Sequence, residues 1–496
     1  MAETSLQIGI VVGYLLLALG IGLVAYRLTD RTAEDYFLAS RTLGTVVLLF
    51  TTFATLLSAF TFFGGPNVSY AAGPEWILVM GLMDGVLFGI LWYVIGYKQW
   101  LVGKINGYVT LGEMLGDRFG SPVLRVLVAG VSLFWLLPYV MLQQQGAGTA
   151  LAALTDGAVP YWLGAGGITL FMIVYVVLSG MRGVAWTDTL QGIFMLGMIW
   201  VAVAWILAVV GGPGAATAEL AAASPGHLAL GGGLYTPAYM LSTAVSIAFG
   251  VTMFPQVNQR FFVAGSKRVL KRTFALWPVL VILLFVPAFM LGAWAQGLGI
   301  VAGEGENVLP LLLNEYTPAW FAALVIAGAM AAMMSSSDSM LLSGSSYLTR
   351  DVYRQVVTGV TESKEALVGR IGVVVIALVA FVASLFRPGT LIEIGDTAFG
   401  GFAQLALPVL VALYWPGTTR DGMYAGVGGS QLFYLASVFL PFVPASYVFP
   451  LAPGLGGWSA SVVGMGLGLA LTVGVSAATG HAAGEDAAVY RRQSAD

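Results

Sequence analysis

The sequence has no cysteine, two histidines and very little charge. Without cysteine there are no disulfides and no thiolate metal sites. His227 and His481 fall in a loop and in the tail, so a histidine metal centre has no basis. Charged residues make up 9% of the 496, against about 25% in an ordinary soluble domain. A net charge of −3 offers no basic surface to nucleic acid. Segments of alternating polarity, the mark of a membrane β-barrel, are also missing. No small-residue cleavage site follows the first apolar run, so that run reads as a retained helix.

What is present in their place is apolar: 58% of the chain is hydrophobic. Runs of about 20 apolar residues, enough to cross a bilayer, recur from "IGIVVGYLLLALGIGLVAY" onward. Thirteen spans are expected, near 6–26, 44–70, 74–99, 124–152, 160–181, 186–211, 236–262, 272–298, 319–348, 366–386, 390–415, 422–441 and 457–479. The fold class is all-α polytopic membrane protein. The polar stretch 101–121 is expected to lie along the surface. With the N-terminus outside and the C-terminus cytoplasmic, 20 of the 21 basic residues fall in inside loops or the tail. Arg182 and Arg260 are among them, and Arg387 alone lies outside. This is the bias of the positive-inside rule.

Polar islands interrupt the spans. "AMMSSSDSMLLSGSS", residues 332–346, holds seven serines and an aspartate. Ser335, Ser336 and Ser339 follow Ala332 at helical spacing, and Asp338 joins the same stripe. Single serines in membrane helices commonly serve close packing. An intramembrane carboxylate more often marks an ion or substrate path, and hard cations take oxygen ligands. In span 2, Thr51, Thr55, Ser58 and Thr61 form a second island, ahead of Gly64, Gly65 and Pro66, where the helix is expected to weaken or break. Span 7 carries Gly250 and Pro255 at mid-span. Two interrupted helices five spans apart point to an inverted-repeat transporter with its site at the midplane. Arg182 and Asp188 flank a short inside turn. They form either an interfacial charge pair or the mouth of an ion path.

Four stretches resemble the sodium:solute symporter family: "DYFLASRTLG" (35–44), "GMRGVAWTDTLQG" (180–192), "MMSSSDSMLLSGSSYLTRDVY" (333–353) and "LPVLVALYWPGTTRDGMYAG" (407–426). The resemblance implies the leucine-transporter fold, a five-plus-five inverted repeat with discontinuous helices. Its parts here are span 1 and a loop (1–43), the transport core (44–415, with repeats 44–211 and 236–415), two peripheral helices (416–479) and a tail (480–496). It implies sodium-coupled symport of a small organic solute by alternating access, by a monomer in the plasma membrane. Asp188 and Asp338 keep proton coupling open as the alternative.

Carried over residue by residue, the resemblance places a sodium site on the backbone carbonyls of Ala54, Leu57 and Ala332 and the hydroxyls of Ser335 and Ser336. Some relatives hold a second sodium. Its positions here are Ser335, Asp338, Ser339 and Asp188, and Asp338 stands where some relatives have serine. The implied solute pocket gives Ser58, Thr61, Gln143, Val251, Phe254 and Gln404. Asp84 either faces that pocket or pairs with a helix terminus. Span 8 lacks the lysine of the family's sugar transporter, which favours an amino acid or a monocarboxylate.

Overall fold

A computed structural model describes residues 2–27, 37, 43–303, 305–450 and 453–480, with the side chains of 2, 25–27, 179, 182 and 453 excepted. Arg31, Arg41, Glu304, His481, Arg491, Arg492 and the side chain of Arg182 therefore lie outside the described residues. The chain is helical along almost its whole described length. Span 1 is Ala2–Arg27. Span 2 is a bent pair, Thr45–Leu56 and Phe60–Ala72. Spans 3 to 6 are Ile77–Asn106, Pro122–Leu154, Tyr161–Leu178 and Gly183–Val210, and span 7 is a second bent pair, Pro237–Thr252 and Pro255–Val263. Spans 8 to 11 are Lys267–Gly297, Ala319–Val356, Glu362–Ser384 and Leu391–Tyr414.

Among the described residues, ten helices are long and apolar enough to cross a membrane, or twelve if each bent pair is one span. The expected count of thirteen is therefore not reached. Of the two helices after span 11, Ala460–Thr479 passes and Arg420–Phe439 is not among the twelve. The latter is a helix of 20 residues with four glycines and buried Ser430 and Gln431. It runs antiparallel to Ala460–Thr479: the Thr419 amide donates to Ser476 Oγ, and a Cβ on Gly426 would meet Thr472. Small residues give close helix contact at the expense of hydropathy.

Hydrogen bonds sort the loops into two sets at opposite ends of the bundle. Leu43, after span 1, accepts from the Gly265 amide after span 7, and Trp100 of span 3 donates to the Ala264 carbonyl. At the other end, Asn67 in the last turns of span 2 reaches Glu306 and Asn307 before span 9, and Tyr235 before span 7 reaches the Gly73 carbonyl. Odd-numbered and even-numbered connections thus separate, as alternating spans require.

The stretch 101–121 does not lie along the surface. Its first part extends span 3, and its second is a short helix, Leu111–Arg118, with Leu111–Gly116 buried. A capping box of Thr110 and Glu113 starts that helix. Glu113 also binds Arg125 at 3.0 Å and Arg350 at 3.2 Å, while Arg125 reaches Asp351 at 2.8 Å. Glu365 of span 10 joins through Arg350 at 2.9 Å and through Arg354. The polar residues of this stretch are thus spent on tying spans 4, 9 and 10 together at the end that carries Leu43.

Several glycines permit close helix crossings. A Cβ on Gly292 of span 8 would sit 2.2 Å from the Pro66 carbonyl oxygen, whereas one on Gly130 would meet nothing within 4 Å. Gly292→Ala is expected to destabilise the protein by about 1–3 kcal/mol through overpacking, read as a lower melting temperature in detergent. Gly130→Ala should melt as the parent does. Equal melting of the two variants would contradict this crossing.

Candidate functional site

Span 2 breaks at Leu57 and Ser58, not at the glycines that follow. Leu57 is extended, with φ −84° and ψ 119°. Gly64 and Gly65 are helical, and Pro66 follows the widened π-helical turn Phe60–Gly64 inside the continuous helix Phe60–Ala72. These glycines serve packing: a Cβ on Gly65 would lie 2.1 Å from the Phe289 ring. The groups freed by the break find side-chain partners, as a membrane interior requires. The Ala59 amide donates to Gln143 Oε1 at 2.8 Å, and the Phe60 amide to Ser58 Oγ at 3.2 Å. On the carbonyl side, the Ser336 hydroxyl of span 9 lies 2.9 Å from the Thr55 oxygen and 2.8 Å from the Leu57 oxygen. One hydroxyl proton is shared between two carbonyls, so lone pairs remain over.

Span 7 breaks where its sequence says it should. Pro255 has no N–H and disfavours helix in the residue before it, so Pro237–Thr252 ends and Pro255–Phe262 begins across Met253 and Phe254. Asn258 Nδ2 donates to the Phe254 carbonyl at 2.7 Å. The axis bends by 55° here and by 61° in span 2.

Below the span 2 break, oxygen atoms gather around Asp188 of span 6. Thr51 donates to its Oδ2 at 2.5 Å and Ser335 to its Oδ1 at 2.6 Å. Thr55 and Ser339 are 2.9 Å apart, and Ser339 reaches Asp338 Oδ1 at 3.3 Å. Arg260 of span 7 enters this cluster. Its guanidinium donates to Asp188 at 3.1 Å, to Thr55 at 2.7 Å and to Ser339 at 2.5 Å. Arg260 is 1% exposed and Asp188 fully buried. The assignment of Arg260 to an inside loop is thus corrected. The second half of span 7 is buried along Pro255–Phe262, and its arginine is a core residue. Positive-inside counting reads only proximity to a helix end, which a bent span defeats.

The expected sodium ligands come together in part. Leu57, Ser335 and Ser336 meet across spans 2 and 9, and Ala54 and Ala332 are fully buried about one turn away on the same helices. Of the expected solute residues, Ser58 and Gln143 are joined at the break. Ser58 Oγ also lies 3.0 Å from the Tyr139 hydroxyl. Phe254 stacks on Phe399 with centroids 5.6 Å apart, and Tyr139 packs on both. Phe60 meets Phe399 edge-on at 5.1 Å. Thr61 and Val251 are buried.

Gln404 is elsewhere. It donates to the carbonyls of Gly400 and Ser461 and lies against Gly464, where a Cβ would be 2.6 Å from its Oε1, so it is turned toward Ala460–Thr479 and away from the break. Asp84 is fully buried, and neither carboxylate oxygen has a hydrogen-bond donor among the described residues, so it pairs with no helix terminus. Above the aromatic cluster, at the end bearing Glu306, opens a cleft of about 590 Å³ lined by Gly64, Gln145, Asn307, Arg387 and Ile392 among others.

Comparison with known proteins decides the family. The sodium:solute symporter family model matches residues 36–429. The chain belongs to the sodium:solute symporter family. It is 28% identical to the sodium/pantothenate symporter of Escherichia coli over 89% of its own length and 94% of that protein. It is 26% identical to the high-affinity proline transporter PutP of Bacillus subtilis over 88% and 92%. Among solved structures, a Na⁺-coupled sialic acid symporter in a substrate-bound, outward-open state superposes with a TM-score of 0.77 at 20% identity, covering 95% of this chain and 98% of that one. The fold is the leucine-transporter fold. Membership makes the chain a multi-pass membrane protein and a sodium-coupled symporter of a small solute, not an enzyme.

Within this symporter the sequence reading missed Arg260 as the partner of Asp188, and Tyr139, Phe60 and Phe399 around Ser58. Arg260 carried one available signal: it lies five residues after Pro255, inside a bent span. The aromatics carried none, since membrane spans are rich in such residues.

Removing one member of a buried ion pair strands the other, at a cost of about 3–5 kcal/mol. Arg260→Gln is expected to cut the yield of folded protein sharply. The double variant Arg260→Gln/Asp188→Asn should recover part of that loss, because the pair is removed whole and only the neighbouring buried Asp338 still lacks a base. Equal yield and melting temperature in the single and double variants would refute the pairing.

Proposed function

We propose that sodium is held at the span 2 break by the carbonyls of Ala54, Leu57 and Ala332 and the hydroxyls of Ser335 and Ser336. The observation that carries this is the double approach of Ser336 Oγ to the Thr55 and Leu57 carbonyls. It brings an oxygen-only donor set from two helices to one point, the chemistry a hard monovalent cation takes. When the ion is bound, the Ser336 proton turns away and its lone pairs face the cation. The solute site is the adjoining group Ser58, Thr61, Gln143, Val251 and Phe254, completed by Tyr139, Phe60 and Phe399. Gln404 is left out of it.

The solute class we favour is a small organic carboxylate, an amino acid or a monocarboxylate. Proline and pantothenate, named for two relatives, both carry a carboxylate, and the Ser58 and Tyr139 hydroxyls at the helix break can donate to such a group. Asp188, Asp338 and Ser339 lie on the exit path of the ion. Arg260 already donates to Asp188, Thr55 and Ser339, so these oxygens are engaged by a resident cation, which favours an exit gate over a second sodium. The transport core is 44–415, with repeats 44–211 and 236–415, and Arg420–Phe439 and Ala460–Thr479 are peripheral. The protein works as a monomer in the plasma membrane, with the Leu43 end facing the cytoplasm and the Glu306 end outside.

Two measurements test this reading. Loss of one neutral ligand, about 1–3 kcal/mol, should raise the sodium concentration for half-maximal uptake about 5- to 150-fold in Ser336→Ala at near-normal expression. Unchanged sodium activation in both Ser336→Ala and Ser335→Ala removes the site. The natural absence of cysteine makes the sidedness test direct. In intact cells an impermeant thiol reagent should label Val301→Cys and spare Arg268→Cys, both exposed positions. The reverse pattern inverts the topology.

A further inference from the structure

A second cavity, of about 400 Å³, lies behind span 11 from the solute group, between the first half of span 7, span 11 and the last two helices. Gly395 faces the aromatic cluster, since a Cβ there would lie 2.4 Å from the Phe60 ring. Asp396, one residue on and so turned by about 100°, lines the cavity instead. Its Oδ1 is shielded from solvent and has no donor, and Asp396 enters no ion pair among the described residues. Among otherwise largely apolar walls, Ser242, Thr243, Ser246, Ser446 and Ser461 contribute hydroxyls and Tyr239 and Tyr434 phenols. Several of these hydroxyls are held as acceptors with lone pairs to spare. Ser246 donates to Ser461 at 2.7 Å, and Ser242 accepts the Ser459 amide at 3.2 Å.

We propose that this cavity binds a small organic ammonium compound, distinct from the transported carboxylate and from the coupling sodium. A carboxylate with no base beside it, set among lone pairs, creates a negative potential that attracts a cation and repels an anion. The two phenol rings add faces suited to a cationic head group. The volume exceeds what a bare ion fills and matches the range of small-molecule sites. The cavity is also lined by residues 445, 446, 457 and 459 of the loop at the Glu306 end, so the ligand enters from that side. Bound there, it braces the first half of the broken span 7 against span 11 and the peripheral pair.

The test uses the purified full-length protein in detergent, with melting followed as ethanolammonium chloride, sodium chloride or potassium chloride is added at matched ionic strength. Ethanolammonium is expected to raise the melting temperature saturably above the potassium control in the parent and in Ser336→Ala, whose sodium site is impaired. Asp396→Asn should shift the midpoint of that rise at least about tenfold upward, because the cation loses its charged partner. Should Asp396→Asn not fold, Thr243→Val/Ser446→Ala replaces it and should shift the midpoint in the same direction. No rise above potassium, or the same midpoint in parent and variant, overturns the site. An Asp396-dependent rise with sodium and none with ethanolammonium overturns the organic ligand in favour of a metal cation.

Discussion

The break in span 2 is the constraint on which the rest of the site depends. A helix opened in the middle of a membrane exposes amide and carbonyl groups that no solvent can satisfy. Each must meet a side chain from elsewhere, and those side chains then have fixed places. Gln143 of span 4 is positioned by the Ala59 amide, Ser336 of span 9 by two carbonyls, and Ser58 by its own Phe60 amide and by Tyr139. Three spans are thus locked around one backbone defect. The serine-rich helix of span 9 is polar because it faces that defect.

Charge below the break follows the same logic. Asp188 is fully buried, and a lone carboxylate there would cost several kcal/mol. It accepts from Thr51, Ser335 and Arg260, which come from spans 2, 9 and 7. One terminal nitrogen of the guanidinium, Nη2, shares its protons among the carboxylate and the Thr55 and Ser339 hydroxyls, while Nη1 turns to the Met181 sulfur. The cluster therefore joins both broken spans to spans 6 and 9. Movement of span 7 relative to span 9 must separate Arg260 from Ser339, and movement relative to span 6 must separate it from Asp188, so these contacts resist displacement of the second half of span 7.

Much of this was legible in the sequence, for definite reasons. Apolar run length gave the spans, and proline gave the span 7 break, because Pro255 acts through its own covalent geometry. The Ser335–Ser339 stripe was readable because helical spacing puts those hydroxyls on one face. The span 2 break was misplaced by several residues: "SAFTFFGGP" has a strong breaker signal at Gly64–Pro66, yet a tertiary partner, Gln143, for the Ala59 amide and the local Ser58 hydroxyl for the Phe60 amide stabilise the opening at Ser58. Glycine was read as flexibility where the structure uses it for contact, as at Gly65 against Phe289. Arg260 was lost because topology counting treats a basic residue near a helix end as a loop residue. Gln404 was misassigned because a span's number does not say which of its faces meets the pocket.

Coupling between ion and solute follows from where the two groups sit on the chain. Leu57 and Ser58 are adjacent residues of one non-helical link. The carbonyl of the first belongs to the proposed ion site, and the hydroxyl of the second touches Tyr139 in the proposed solute site. Fixing the Leu57 carbonyl on a cation restricts the backbone torsions that set the direction of the Ser58 side chain. A solute that needs that direction then binds a link already ordered, and meets a smaller entropic cost. The same linkage holds in reverse, since a coupling free energy between two sites is reciprocal. Neither site needs a long pathway to sense the other; one peptide unit is shared between them.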